Sequence, residues 1–240
     1  MAENKKKIVS NDKSDPNNSA MEKEKLKRLI SKGEGADADL NQRMKKEIYK
    51  LLRSLRNIDY VVPEEIPDID LYMDQVTTFM DTHLESSKRF KDDKILTKTM
   101  INNYTKNDIL PPPQKKKYSS DHLVLLLFIY YLKNFLSIGD ISTILGPIEE
   151  NYLGDKGDIS LKEIYSRVVD LASSNMNSQV KDMINKIRSS IESFDDLPQG
   201  AEREELEKFM FVCMLSFDIS VKKNLIENII DNSYGEKKDE

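Results

Sequence analysis

The run Leu123–Leu132, LVLLLFIYYL, constrains this chain more than any other stretch, because ten consecutive apolar residues leave a helix no polar face. A helix apolar all round belongs in an interior. A membrane span needs roughly 20 such residues, and Lys133 ends this one at half that length. The run therefore predicts a buried central helix, capped at Ser119 or Ser120 and reaching about Leu136, which other helices must enclose.

The rest of the chain supplies that cover. Asp39 or Asn41 is placed to cap a helix to about Arg56, with Leu40, Met44, Ile48, Leu51, Leu52 and Leu55 on one face and a basic opposite face. Asp68 or Asp70 is placed to cap a second helix, Leu71 to Leu84, after a connector whose prolines deny helix. Beyond the central helix, Ser137 opens a short one, Ile138 to Leu145, stopped by Gly146-Pro147. Ser160 opens a long amphipathic helix from Leu161 to Ile191, with a break or kink expected at Asn175–Ser178. A last helix or pair runs from Ala201 to about Asn232.

These patterns divide the chain into 1–40, a disordered or weakly helical basic tail; 41–150, a domain built around the central helix; 151–234, a helical cover that packs on it or dimerises; and 235–240, a charged tail. The single cysteine, Cys213, excludes an internal disulfide, and no apolar stretch follows the opening basic residues. A cytoplasmic protein is the expectation.

Charge is segregated. The net charge is −5, yet residues 86–118 carry 9 basic and 3 acidic residues, whereas residues 57–85 carry 8 acidic and none basic. Within the basic island lies ILTKTMINNYTKNDILPPPQKKKY, Ile95–Tyr118. Thr97 stands where an N-cap belongs. On the helix it opens, Met100, Ile101 and Tyr104 fall on one side, and Lys98, Thr99, Asn102, Asn103 and Lys106 on the other, with no carboxylate among them. Pro111–Pro113 prevents continuation, and Gln114–Lys117 makes a basic turn into Tyr118. The plain reading is a solvated surface helix; a proline-rich ligand for another protein is a third possibility. A local basic face argues for nucleic acid even in an acidic chain, since binding depends on the charge of the contacting surface.

This segment resembles the DNA-binding part of mercury-resistance-regulator (MerR) type proteins. TKTMINNYTKNDILPPP, KKKYSSDHL and SIGDISTIL follow one another as that family's recognition helix, wing, and next two helix starts do. Asn102 and Asn103 stand where the family usually has arginine and tyrosine, and the turn after Pro113 is shorter than its wing. The resemblance implies an embedded winged helix-turn-helix in a mainly α fold. It implies DNA contacts from Thr97, Lys98, Thr99, Asn102, Asn103, Tyr104 and Lys106 on the helix, and from Lys115, Lys116, Lys117 and Tyr118 on the wing. Asn102 has the donor and acceptor pair that suits adenine. About Tyr49 to Leu161 also resembles an uncharacterised bacterial family, the domain of unknown function 1836, through PDIDLYMDQVTTFMD, ILTKTMINNYTKN and LPPPQKKKYSSDHL.

Signals for catalysis are poor. The two histidines, His83 and His122, sit beside apolar helical positions, and one cysteine with two histidines offers no metal-ligand spacing. No enzyme activity, cofactor or metal is expected. The expected function is DNA binding, with transcriptional regulation as its purpose and a homodimer through the C-terminal helices. The alternatives are a protein–protein adaptor that uses the same face, and a helical sensor of a small apolar effector whose DNA-binding face has degenerated.

Overall fold

The computed structural model describes residues 60–154 and 156–234, all within one compact unit spanning residues 50–240. The expectations for residues 1–40, for the helix to Arg56 and for the tail from Gly235 lie outside the described residues. The described residues form six α-helices and one two-stranded ribbon, with short 3-10 turns between some of them: β1 (Leu71–Tyr72), α1 (Met73–His83), α2 (Lys98–Lys106), β2 (Lys117–Tyr118), α3 (Ser120–Leu132), α4 (Ile138–Tyr152), α5 (Leu161–Glu192) and α6 (Ala201–Ser233).

Helix α3 is the expected pillar. Leu123, Val124, Leu125, Leu126, Leu127 and Ile129 are each 0% exposed. Around them pack Val76, Phe79 and Met80 of α1, Ile101 and Tyr104 of α2, Ile141 and Leu145 of α4, Leu161, Tyr165 and Val169 of α5, and Ile230 near the end of α6. The helix stops at Leu132, one turn short of the expected Leu136, which is buried in the turn that follows. Lys133 ends it by snorkelling: its Nζ donates to the Ile95 carbonyl at 2.8 Å and lies 4.9 Å from the centre of the Tyr130 ring. Burial lowers the pKa of this ammonium below that of ordinary lysine. Tyrosines seal the base of the pillar. The Tyr165 hydroxyl donates to the Val61 carbonyl at 2.7 Å, the Tyr131 hydroxyl accepts from the Val61 amide at 3.3 Å, and the Phe128 and Tyr165 rings meet edge to face at 5.5 Å.

Three further expectations are corrected. Leu71 and Tyr72 are strand, not the start of a helix capped by Asp68 or Asp70. Leu71 pairs with Tyr118 and Tyr72 with Lys117, antiparallel, and α1 starts at Met73, where the Tyr72 amide donates to Gln75 Oε1 at 2.8 Å. Helix α4 runs through Pro147 to Tyr152 instead of ending at Leu145. Proline costs it one amide bond, but Ile148, Tyr152 and Leu153 pack against the core beyond that point. Helix α5 is unbroken across Asn175–Ser178. Of the helix or pair expected from Ala201, the structure forms a single helix, Ala201–Ser233.

The far halves of α5 and α6 form a hairpin that leaves the main core. Its tip carries a smaller cluster, with Ile184, Ile187 and Ile191 of α5 buried. Arg203 is 4% exposed there and ties the connecting loop together. It donates to Glu207 at 2.8 Å, to Asp195 at 2.5 Å and to the Leu197 carbonyl at 3.1 Å.

Candidate functional site

The basic island of the sequence becomes α2 and the turn that follows it. Thr97 caps α2, its hydroxyl oxygen accepting from the Met100 amide at 3.2 Å. The other end closes on a six-residue Schellman turn. The Ile109 amide reaches the Tyr104 carbonyl at 2.9 Å and the Asp108 amide the Thr105 carbonyl at 3.4 Å. Asp108, not glycine, holds the left-handed position of that turn, with φ 53°. The buried side of α2 is Ile101 and Tyr104.

Lys98, Thr99, Asn102, Asn103 and Lys106 all face solvent. At about 100° per residue they share one side of the helix. Lys98, Asn102 and Lys106, spaced four apart, form a single row. Lys98 is ion-paired with Asp74 at the start of α1, both side chains being more than half exposed. That pairing is worth little to stability.

After Pro111–Pro113 the chain turns at Gln114–Lys117. The Lys117 amide donates to the Gln114 carbonyl at 2.9 Å, closing a two-residue hairpin. Both central residues have positive φ, 49° at Lys115 and 66° at Lys116. Primed hairpin turns require this sign and normally recruit Asn-Gly. Here two lysines take it, and both side chains are exposed. The returning strand β2 is held by β1, and Lys117 lies 5.4 Å from the centre of the Tyr72 ring. The Lys115–Lys116 tip is thus mounted on a ribbon that also carries α1.

Two of the sequence-selected residues lie elsewhere. Tyr104 and Tyr118 are 7% and 3% exposed and belong to the core, not to a surface. Burial raises both phenol pKa values, so both stay neutral. Thr97 is half-buried, and its side chain is engaged as the cap. What faces solvent together is Lys98, Thr99, Asn102, Asn103 and Lys106, then Lys115 and Lys116.

The sequence placed His122 beside apolar helical positions but did not show its part in closing the start of α3. It is 6% exposed at the first turn of α3, beneath the proline run. Its Nδ1 accepts from the Ser119 amide at 3.1 Å and lies 2.8 Å from the Ser119 hydroxyl. The ring meets Tyr118 edge to face at 5.5 Å. Burial holds its pKa below the ordinary imidazole value, against opposing pulls from the Pro112 backbone and Asp121. A histidine three residues after a serine in the Tyr-Ser-Ser-Asp-His order was the available signal, since side chains at that position of a helix reach back to the cap.

Among the described residues no group of three or more His, Cys, Asp or Glu side chains is arranged to hold a metal ion. None of the described helices is long and apolar enough to cross a membrane.

Residues 61–168 match the family described as Domain of unknown function (DUF1836). No curated protein and no solved structure matches the chain. The matched segment begins at Val61, whose backbone anchors Tyr131 and Tyr165, and ends within α5 beside Val169. It contains β1, α1, α2, β2, α3 and α4, and with them nearly the whole main core. The outer part of α5 and all of α6 lie beyond the DUF1836 match.

Proposed function

We propose that the DUF1836 segment binds DNA, with α2 entering the major groove and the Lys115–Lys116 tip gripping flanking phosphates, and that the protein regulates transcription. The observation that carries this reading is one arrangement. A nine-residue helix exposes Lys98, Thr99, Asn102, Asn103 and Lys106 without a carboxylate, and is followed by a paired-lysine hairpin tied back to the strand before α1. The order strand, helix, helix, hairpin resembles that of a winged helix-turn-helix of the MerR-like kind, which supports the reading. In such modules the second helix reads bases and the wing holds backbone. Amides and lysines fit the two tasks: Asn102 pairs with a base edge, and lysines neutralise phosphates.

The test is binding of the full chain to genomic DNA fragments, followed by fluorescence anisotropy across a salt series. Affinity is expected to fall linearly on a log–log plot with added salt. Lys116→Ala is expected to lower that slope by about 1 and to weaken all sequences alike. Asn102→Ala is expected to relax the preference at particular bases. Failure to retain any fragment at low ionic strength removes the proposal. In a second reading the same face, where Lys98 already pairs with a carboxylate in Asp74, docks a protein that carries acidic side chains. A partner captured equally well after nuclease treatment would support that second reading.

A further inference from the structure

Helix α6 carries apolar side chains that no other described residue buries. Leu206, Phe209, Val212, Phe217 and Ile219 are 39%, 65%, 58%, 71% and 50% exposed. Half-exposed Cys213 lies among them. At about 100° per residue, Leu206, Phe209, Cys213 and Phe217 fall within an arc of about 80°, with Val212 and Ile219 on its flank. The side of α6 that meets α5 is a different one and carries Arg203 and Glu207. The exposed face amounts to on the order of 500 Å² of apolar surface, at the upper end of what a monomer leaves bare.

We propose that this face of α6 packs antiparallel on the same face of a second copy of the chain, with the two-fold axis passing beside Cys213. The charge pattern selects this occupant. Glu205 lies eight residues before Cys213 and Lys223 ten residues after it, and both are exposed on the same flank of the apolar arc. A two-fold axis perpendicular to an antiparallel pair keeps each flank on its own side. It therefore brings Glu205 of one copy within about 3 Å, along the helix axis, of Lys223 of the other. The pairing occurs twice by symmetry. In the same register Phe209 meets the second copy's Phe217, also twice, and Cys213 meets Cys213. A parallel pair would put the two copies' charged flanks on opposite sides of the interface, so Glu205 of one copy would not meet Lys223 of the other. Two such faces together bury on the order of 1,000 Å², the lower bound for a specific interface. Lys223 forms an i,i+4 pair with Glu227 within its own helix, which orients the ammonium without burying it.

Sedimentation equilibrium of the full chain tests this. The wild type is expected to be a dimer at micromolar concentration. Phe217→Asp, with helicity unchanged by circular dichroism, is expected to weaken association at least 100-fold. Glu205→Lys should weaken it several-fold, and Glu205→Lys combined with Lys223→Glu should restore it, which a parallel pair cannot do. Mild oxidation should cross-link the wild type through Cys213, and Cys213→Ser should abolish the cross-link. A wild type that is monomeric at every concentration overturns the proposal, and so does a Phe217→Asp dimer as tight as the wild type. A double charge reversal that fails to restore association overturns the antiparallel register. A monomer whose α6 amides are nevertheless protected from hydrogen exchange assigns the cover to the same chain and overturns it too. None of these outcomes depends on whether the protein binds DNA.

Discussion

Helices α3 and α6 contain comparable apolar runs and meet opposite fates. LVLLLFIYYL of α3 is enclosed almost completely, whereas in FMFVCMLSF of α6, Phe209 and Phe217 are more than 60% exposed. Local sequence does not separate them by hydrophobicity. What separates them is the number of neighbours each can recruit. Helix α3 is contacted by α5, α4 and β2 and sits inside the cluster that also takes in α1 and α2. Helix α6 has α5 along one side and α4 near its end. A fully apolar helix needs cover on every side, so α3 defines a centre, while α6 is left with a face to offer.

The largest test of this contrast is truncation. Leu126→Ala removes a side chain with no exposure and is expected to cost about 2–5 kcal/mol in urea unfolding, from lost transfer energy and the cavity left behind. Phe217→Ala, measured under dilute conditions, is expected to change stability by less than about 0.5 kcal/mol, as for other surface substitutions. Equal losses at the two positions would break the comparison.

A smaller effect is expected where the pillar is sealed. Tyr165→Phe deletes the hydroxyl that satisfies the buried Val61 carbonyl and should cost about 1–2 kcal/mol. A neutral result would mean that this seal is wetter than its geometry implies.

The N-terminus of α3 should add a pH dependence that α6 lacks. The folded state holds the His122 pKa below its ordinary value, so the unfolded chain takes up the proton first as pH falls. The contribution of His122 is complete above about pH 6.5, the ordinary imidazole value, and is lost progressively below it. Unfolding free energies measured between pH 7.5 and pH 5.5 should decline for the wild type. They should decline less for His122→Gln, because glutamine can still reach back to the cap without titrating. Parallel slopes would show that His122 does not carry the effect.

The smallest expected change is a gain. Asp108→Gly replaces an L-residue at positive φ in the Schellman turn of α2 and should stabilise the fold by about 0.5–1 kcal/mol by thermal unfolding. It leaves Lys98, Thr99, Asn102, Asn103 and Lys106 unchanged, so DNA affinity should not fall.

Much of the interior was legible beforehand. The caps at Thr97, Ser137 and Ser160 form as their residue types require, each accepting from the amide three residues on. The exposed row of Lys98, Asn102 and Lys106 could be read from spacing alone. Less legible was everything set by a distant partner. Leu71–Tyr72 is strand because Lys117–Tyr118 comes back to pair with it. Pro147 is carried inside α4 because the residues after it find core to pack on. The resemblance placed Tyr104 and Tyr118 on a DNA-contacting surface, but the fold uses their rings as core.

The sequence by itself determined that Leu123–Leu132 would be central, because no arrangement leaves ten apolar residues in water. It also determined the caps and the acid-free side of α2, since these depend only on spacing along a few turns. Only the tertiary structure decided that β1 anchors the lysine turn, that His122 lies buried beneath the prolines, and that α6 keeps a bare apolar face. Those features depend on which helices run out of neighbours, and that is a property of the whole chain's packing rather than of any one segment.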